Sequence, residues 1–310
     1  MSEKPPFERE LVHERYRILE LLGSGASAQT YLCEDQASSG RRVALKLLRV
    51  EHLESWKYFE LFEREAKVLA SLDHHGIPKL FDFFELSAKG QERTSLGLVQ
   101  EYIEGSSLAK RIEKGPRFAE AELIQLCLGI LEILDYLHSS SPPVFHRDIK
   151  PSNIIVRPMG SPVLIDFGSV CDGWRPADEQ GSTIVGTHGF MPPEQYLGQV
   201  SAASDLYALG ATLLNLVSGR APREFSFESG RIELPEELPM AAGMRRLLTA
   251  LLEPAPRDRP KSARDARDLR LDPTPATSTL KPSAEVHALV PLKDALPALI
   301  QSDDDTPILV

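Results

Sequence analysis

The stretch His146-Arg147-Asp148-Ile149-Lys150-Pro151-Ser152-Asn153, followed after an apolar interval by Asp166-Phe167-Gly168, holds the densest chemistry in the sequence. Asp148, Asn153 and Asp166 supply a carboxylate, an amide and a second carboxylate. Moving a phosphoryl group onto a hydroxyl needs such a set. One carboxylate orients the hydroxyl and accepts its proton, and further oxygen ligands hold Mg²⁺ against the phosphates. Ile154-Ile155-Val156 and Val163-Leu164-Ile165 read as the strands of a buried hairpin. Loops flanking that hairpin would converge the three groups at one mouth. Asp and Asn are also common turn formers, but turn formation alone does not call for this spacing around paired apolar runs.

Two upstream features fit the same chemistry. Gly23-Ser24-Gly25-Ala26-Ser27-Ala28 is a turn whose backbone can approach phosphate oxygens and present N–H donors to them. Taken alone it reads equally as an ordinary hairpin turn. Lys46 sits in the apolar strand Val43-Ala44-Leu45-Lys46. An ammonium buried there needs a partner, because an unpaired buried charge costs several kcal/mol. Glu65, in the helical stretch that follows, is the candidate. On these residues alone, a snorkelling lysine and a solvated glutamate stay open as the alternative.

These groups need elements to hold them. Runs at 16–22, 29–33 and 42–48 read as strands, and 53–71 as a helix burying Leu61, Phe62, Val68 and Leu69. Further strands are expected near 80–86 and 95–102, around a polar turn at 87–94. The pattern then becomes helical at 120–138, stopped by Pro142-Pro143, and again at 204–218 and 241–253. A small sheet-rich part precedes a larger helical one.

The chain's 310 residues allow one large or two ordinary domains. With 42% hydrophobic and 26% charged residues it reads as globular. A net charge of −10 argues against nucleic acid and anionic lipid as partners. Cys33, Cys127 and Cys171 are too few and too scattered for a disulfide framework or a zinc site. No leader core follows Met1, and no run approaches the roughly 20 apolar residues of a membrane helix. The expectation is a cytoplasmic protein without a membrane span. Residues 1–15, with Pro5-Pro6, read as a loose arm. Residues 272–310 read as a Pro/Thr/Ser-rich flexible tail, with docking of a partner as the alternative.

Taken in order, the motifs resemble a eukaryotic-type (Hanks-type) serine/threonine protein kinase of bacterial cast, over residues 16–271. The resemblance implies an α+β, bilobal fold. An N-lobe of antiparallel sheet plus one helix covers about 16–102, and a larger, mostly helical C-lobe about 106–271. It implies ATP and Mg²⁺ as cofactors, with Mn²⁺ as a substitute, and a protein substrate bearing a Ser or Thr hydroxyl. Gly23, Ser24, Gly25, Ala28, Ala44, Lys46, Glu101, Ile103, Asn153 and Asp166 match nucleotide-site positions, with Asn153 and Asp166 as metal ligands. Lys46 matches the lysine on the α- and β-phosphates, Glu65 its helix partner, Asp148 the catalytic base and Lys150 the contact to the transferred phosphate. His146 and Phe167 match packing residues that tie closure of the site to the core. Gly186 to Glu194 resembles the end of the activation segment, and Asp205-Leu206-Tyr207-Ala208-Leu209-Gly210 and Asp258-Arg259-Pro260 two later signatures. In the family the last arginine pairs with the glutamate, here Arg259 with Glu194. Lys150 and Thr187 match the serine/threonine branch.

Arg147 before Asp148 implies switching by activation-segment phosphorylation, with Ser182 and Thr183 as self-acceptors and Thr187 orienting the catalytic loop. Read without the resemblance, 179–183 is an ordinary polar loop. Departures from the pattern are Ala28 for the third glycine, Thr30 for the valine over adenine, a polar Gln100 at the gatekeeper and Pro192 for alanine. None removes a catalytic atom. Ser107, Ser152 and Asn215 replace carboxylates that select basic substrates, so no such preference is expected. A pseudokinase scaffold is disfavoured because Lys46, Glu65, Asp148, Asn153 and Asp166 are all present. A small-molecule phosphotransferase is disfavoured by the stretch from Gly186 to Glu194.

Overall fold

Each early apolar run becomes a strand: β1 (Leu11–Val12), β2 (Tyr16–Ser24), β3 (Ala28–Asp35), β4 (Arg41–Leu48), β5 (Leu80–Ser87) and β6 (Thr94–Glu101). They form one antiparallel sheet in the order β1-β2-β3-β4-β6-β5. The computed structural model describes residues 11–25, 27–48, 56–87, 94–115, 118–172, 187, 189–228 and 230–269. Helix α1 (Trp56–Ser71) lies between β4 and β5 in the chain. The two-residue period of β4 sorts its side chains. Val43 and Leu45 join a cluster with Tyr31 and Val99 on one face. Leu48 faces the other way, into the core that holds Phe62, Ala66 and Leu69 of α1. Lys46 shares that second face.

Residues 11–15, assigned from the sequence to a loose arm, are part of this sheet. Val12 pairs with Tyr16 across a tight turn in which His13 and Glu14 have φ of 53° and 54°. Arg15 then holds Asp35 at 2.7 and 2.8 Å, and Tyr16 donates to Asp82 at 2.6 Å. These partners are distant in the chain, so local composition gave no sign of them. Residues 1–10, the turn tip at 88–93, Ser182, Thr183 and the tail from 270 onward lie outside the described residues.

The second part begins with β7 (Ser106–Ser107), α2 (Leu108–Glu113) and α3 (Glu120–His138). Helix α3 has the predicted bounds and buries Leu123, Leu126, Cys127, Ile130, Leu134 and Leu137, the spacing of one helical face. Short strands follow: β8 (Val144–Phe145), β9 (Ile154–Val156), β10 (Pro162–Leu164) and β11 (Cys171–Asp172). β9 and β10 are the predicted apolar hairpin, and β8 pairs with β11. Helix α4 (Ala202–Ser218) is buried from Ser204 to Val217, as expected of a helix apolar nearly all round. After the small hairpin β12 (Phe227–Glu228) and β13 (Arg231–Ile232), α5 (Ala242–Leu251) packs on α4 and α6 (Ala263–Arg267) on α3. Among the described residues, no helix is long and apolar enough to cross a membrane.

Arg259 joins the end of this part to its middle. Its Nη1 and Nη2 donate to Glu194 at 2.6 and 3.0 Å, and to the carbonyls of Ala203 and Pro254, each at 2.9 Å. Its Nε donates to Glu253 O at 2.6 Å. A guanidinium has five N–H donors, and every one is engaged here. Ser204 gives Glu194 a further bond at 2.9 Å. Arg259→Met should cost about 3–5 kcal/mol in urea unfolding, because it strands a buried carboxylate. Arg259→Lys should recover only part of this, since an ammonium cannot match the fork. A loss below about 1 kcal/mol for the methionine variant would show that the pair is not structural.

Candidate active site

Strand alternation turns Lys46 toward α1, where Glu65 falls in the stripe of Phe62, Ala66 and Leu69. Lys46 Nζ donates to both Glu65 oxygens at 2.8 and 2.7 Å, and to Asp166 Oδ1 at 2.7 Å. Glu65 is only 1% exposed. Burial pushes its carboxyl above the usual range, with the Lys46 charge opposing. Burial also works against the Lys46 charge, but Asp166 and Glu65 outweigh it and hold the ammonium above its ordinary pKa. Lys46 draws Asp166 down to about 2. Gly168 makes the close approach possible, because a Cβ there would lie 3.1 Å from Glu65 Oε2. Asp166 itself has φ of 68°, a conformation that costs a non-glycine residue roughly 1–2 kcal/mol.

Asp148 anchors a second group. Lys150 Nζ donates to its Oδ2 at 2.7 Å and to Thr187 Oγ1 at 2.6 Å, and Thr187 Oγ1 donates to Asp148 Oδ1 at 2.9 Å. Asn153 Nδ2 donates to the Asp148 carbonyl at 2.9 Å and to Oδ2 at 3.0 Å. The amide is thereby oriented, and its oxygen accepts only a 3.3 Å bond from Ser152 Oγ. Asn153 and Asp166 are linked through the hairpin, since Ile165 N donates to Asn153 O at 2.8 Å. An amide oxygen and an anionic carboxylate are hard donors suited to a divalent cation such as Mg²⁺.

The loop carrying Asp148 hangs from the helical part. Asp205, fully buried on α4, accepts from His146 N at 2.9 Å, Arg147 N at 2.8 Å and His138 Nε2 at 2.9 Å. Burial opposes its ionisation, but the His138 bond and neighbouring charges keep the carboxyl below its usual range. Gln195 Nε2 donates to Arg147 O at 2.8 Å. Arg147 has φ of 69°, so its backbone is clamped on both sides in a left-handed conformation. The His146 ring stands edge-on to Phe167, 4.9 Å between centroids. Burial lowers the His146 pKa and keeps it neutral.

The remaining candidate positions lie along the sheet and its exit. Gly23 and Ser24 end β2, and Gly25 N donates to Ala28 O at 2.9 Å, closing the turn. Ala28 and Ala44 are buried, and Ala44 pairs with Gln100 across to β6. Glu101 ends β6, its carboxylate held by Arg157 at 2.9 Å, and Ile103 follows, buried.

Residues 16–268 match the family described as "Protein kinase domain". The chain belongs to the protein kinase family. It is 38% identical over 237 residues to serine/threonine-protein kinase PknA of Nostoc sp. (strain PCC 7120), covering 72% of this chain and 41% of that protein. It is 36% identical over 276 residues to serine/threonine-protein kinase B of Synechocystis sp. (strain PCC 6803), covering 84% and 47%. To serine/threonine-protein kinase PrkC of Bacillus subtilis it is 32% identical over 209 residues, covering 67% and 31%. The chain thus spans less than half the length of these three relatives. Membership of the kinase family implies ATP and a divalent metal.

Three positioning side chains of this kinase domain escaped the sequence reading: His138, Gln195 and Arg157. Asp205 was noted only as part of a motif, although a carboxylate inside an otherwise apolar helix is itself a signal that it accepts buried donors. Gln195 and Arg157 left no such trace, because their acceptors, Arg147 O and Glu101, are set by tertiary approach.

The Lys46 group yields a pH-resolved expectation. In the native protein the depressed Asp166 contributes stability above the ordinary aspartate range, lost as pH falls through about 2. Lys46→Met leaves two facing carboxylates without a cation, which raises their pKa values. The variant should lose about 3–5 kcal/mol at pH 7 by urea unfolding. The deficit should shrink toward about pH 4 as those carboxyls take up protons. A deficit independent of pH would show that packing, not charge, is what Lys46 supplies.

Proposed function

We propose that this chain is a serine/threonine protein kinase that transfers the ATP γ-phosphoryl group to a protein hydroxyl. The observation that carries the reading is the shared bonding of Asp148, Lys150 and Thr187, with Asn153 and Asp166 joined to it through one hairpin. Asp148 orients the attacking Ser or Thr hydroxyl and accepts its proton as the new O–P bond forms and the bond to the leaving ADP oxygen breaks. Lys150, beside that carboxylate, meets the charge on the phosphoryl in flight. Lys46, fixed by Glu65, holds the α- and β-phosphates, and the backbone of Gly23, Ser24 and Gly25 covers them. Asn153 and Asp166 would hold Mg²⁺, for which Mn²⁺ can substitute. The chemistry a cation held there would supply is neutralisation of phosphate charge. The Glu101 and Ile103 backbone, with Ala44, holds the base, and Ala28, at the third-glycine position, borders the phosphates.

Arg147 lies beside the catalytic aspartate and is the group proposed to bind a phosphate on Ser182 or Thr183, placed there by autophosphorylation.

The test is phosphate incorporation from ATP with Mg²⁺, read by mass spectrometry. Asp148→Asn should lower turnover by about 10²–10⁴-fold while ATP affinity stays within a few fold. Equal turnover in that variant would overturn the assignment of the base. Thr187→Ser should keep most of the activity and Thr187→Val lose at least about tenfold in kcat, because only the former retains the hydroxyl between Lys150 and Asp148.

A further inference from the structure

Away from the active site, His74, His75 and Glu132 bring one ligand atom each within 4.8 Å of one another. Among the described residues this is the one such group of three His, Cys, Asp or Glu side chains. We propose that it is a second, non-catalytic cation site, selective for a transition metal of the Zn²⁺ type, which clamps the loop after α1 to helix α3.

The two sides of the site are already fixed to each other. Gly76 packs so closely on α3 that a Cβ would meet Ile133 at 2.6 Å. Tyr136 OH accepts from Asp73 N at 2.8 Å, and the His74 ring lies 4.9 Å from the Tyr136 ring. Ile133 and Tyr136 are α3 residues just beyond Glu132, so the loop presents its imidazoles where that carboxylate emerges. The His74 and His75 rings stack, 4.4 Å between centroids, and face one direction. His75 and Glu132 are exposed and, among the described residues, neither makes a hydrogen bond or ion pair, so both are available as ligands.

Chemistry selects the ion. Two imidazole nitrogens and one carboxylate suit Zn²⁺, Co²⁺ or Ni²⁺, whereas Mg²⁺ prefers the all-oxygen set of Asn153 and Asp166. Ligands around tetrahedral zinc stand about 3.4 Å apart, given Zn–N near 2.1 Å. The exposed His75 and Glu132 side chains can close the remaining distance by rotation. Gly76 N donates to His74 Nδ1 at 3.0 Å. Nδ1 coordination would displace that donor, and Nε2 coordination would move the ring proton to Nδ1, so either mode gives up the Gly76 bond.

A bound ion would reach the active site through the backbone. Gly76 O accepts from Leu164 N at 2.9 Å, two residues before Asp166. The site would thus brace the loop that leaves α1 and the strand that delivers Asp166.

The experiment is a Co²⁺ titration of the full chain, followed by its visible absorption, in millimolar Mg²⁺ to saturate oxygen-donor sites, with Zn²⁺ as competitor. His75→Ala and Glu132→Gln, both exposed, are compared singly and together. The proposal expects an intense band of low coordination number in wild type, displaced by Zn²⁺. It expects affinity to fall at least about tenfold in each single variant and further in the double. No band at millimolar Co²⁺ in wild type overturns it, as does undiminished affinity in the double variant. Because the readout is metal binding, the result does not depend on kinase activity.

Discussion

Glu65 and Asp166 place two negative charges in one niche, an arrangement that only a cation between them makes tolerable. Lys46 is that cation, and its three short bonds tie strand β4, helix α1 and the hairpin that ends in Asp166. Each element could pack in other positions on hydrophobic grounds alone, since apolar burial has no direction. The ion triplet removes that freedom. Swinging α1 away would leave Glu65 without its counter-charge and Lys46 with one partner fewer. The position of α1 and the position of the Asp166 carboxylate are therefore one variable, set by a single ammonium.

A second constraint acts from the helical part. Asp205 accepts two backbone N–H groups and the His138 ring, and Gln195 holds the carbonyl between them and Asp148. Arg147 and Asp166 both adopt left-handed φ, at 69° and 68°. Strain of this kind persists only where the surroundings over-determine it, and here the surroundings are α4, Gln195 and the Lys46 triplet. Gln195 follows Glu194, the partner of Arg259. The buried guanidinium thus stands two links from Asp148: it fixes Glu194, whose neighbour fixes the loop that carries Asp148.

Much of this was legible in the sequence because it is local or periodic. Helix α3 shows a clean apolar face, the β9–β10 hairpin is two short apolar runs, and Lys46 stands out as a charge in an apolar strand. The pairing of Lys46 with Glu65 was open on the residues alone and needed the family pattern, because nothing local distinguishes a buried glutamate from a solvated one. The β1 strand was hidden for a related reason. Its order depends on Arg15 reaching Asp35 and Asp82, contacts between residues far apart in the chain. His138 and Gln195 look like ordinary polar residues until the fold brings Asp205 and Arg147 to them. The candidate reactive side chains were visible by type, whereas those that position them were visible only by contact.

Charge balance in the cleft explains why such a site needs a divalent metal. Lys46 and Lys150 contribute two positive charges, and Glu65, Asp148 and Asp166 three negative ones. His146, kept neutral by burial, adds nothing. Among these five groups the balance is one negative charge, in a chain whose formal charge is −10. A polyphosphate approaching them meets repulsion that backbone N–H groups of the glycine turn only partly offset. Both lysines are shared with carboxylates, so their charge reaches the nucleotide already partly offset. Family membership implies a divalent cation, and the hard oxygens of Asn153 and Asp166 are suited to one. The same carboxylates that fix the two lysines thus add to the negative charge that a divalent cation would offset.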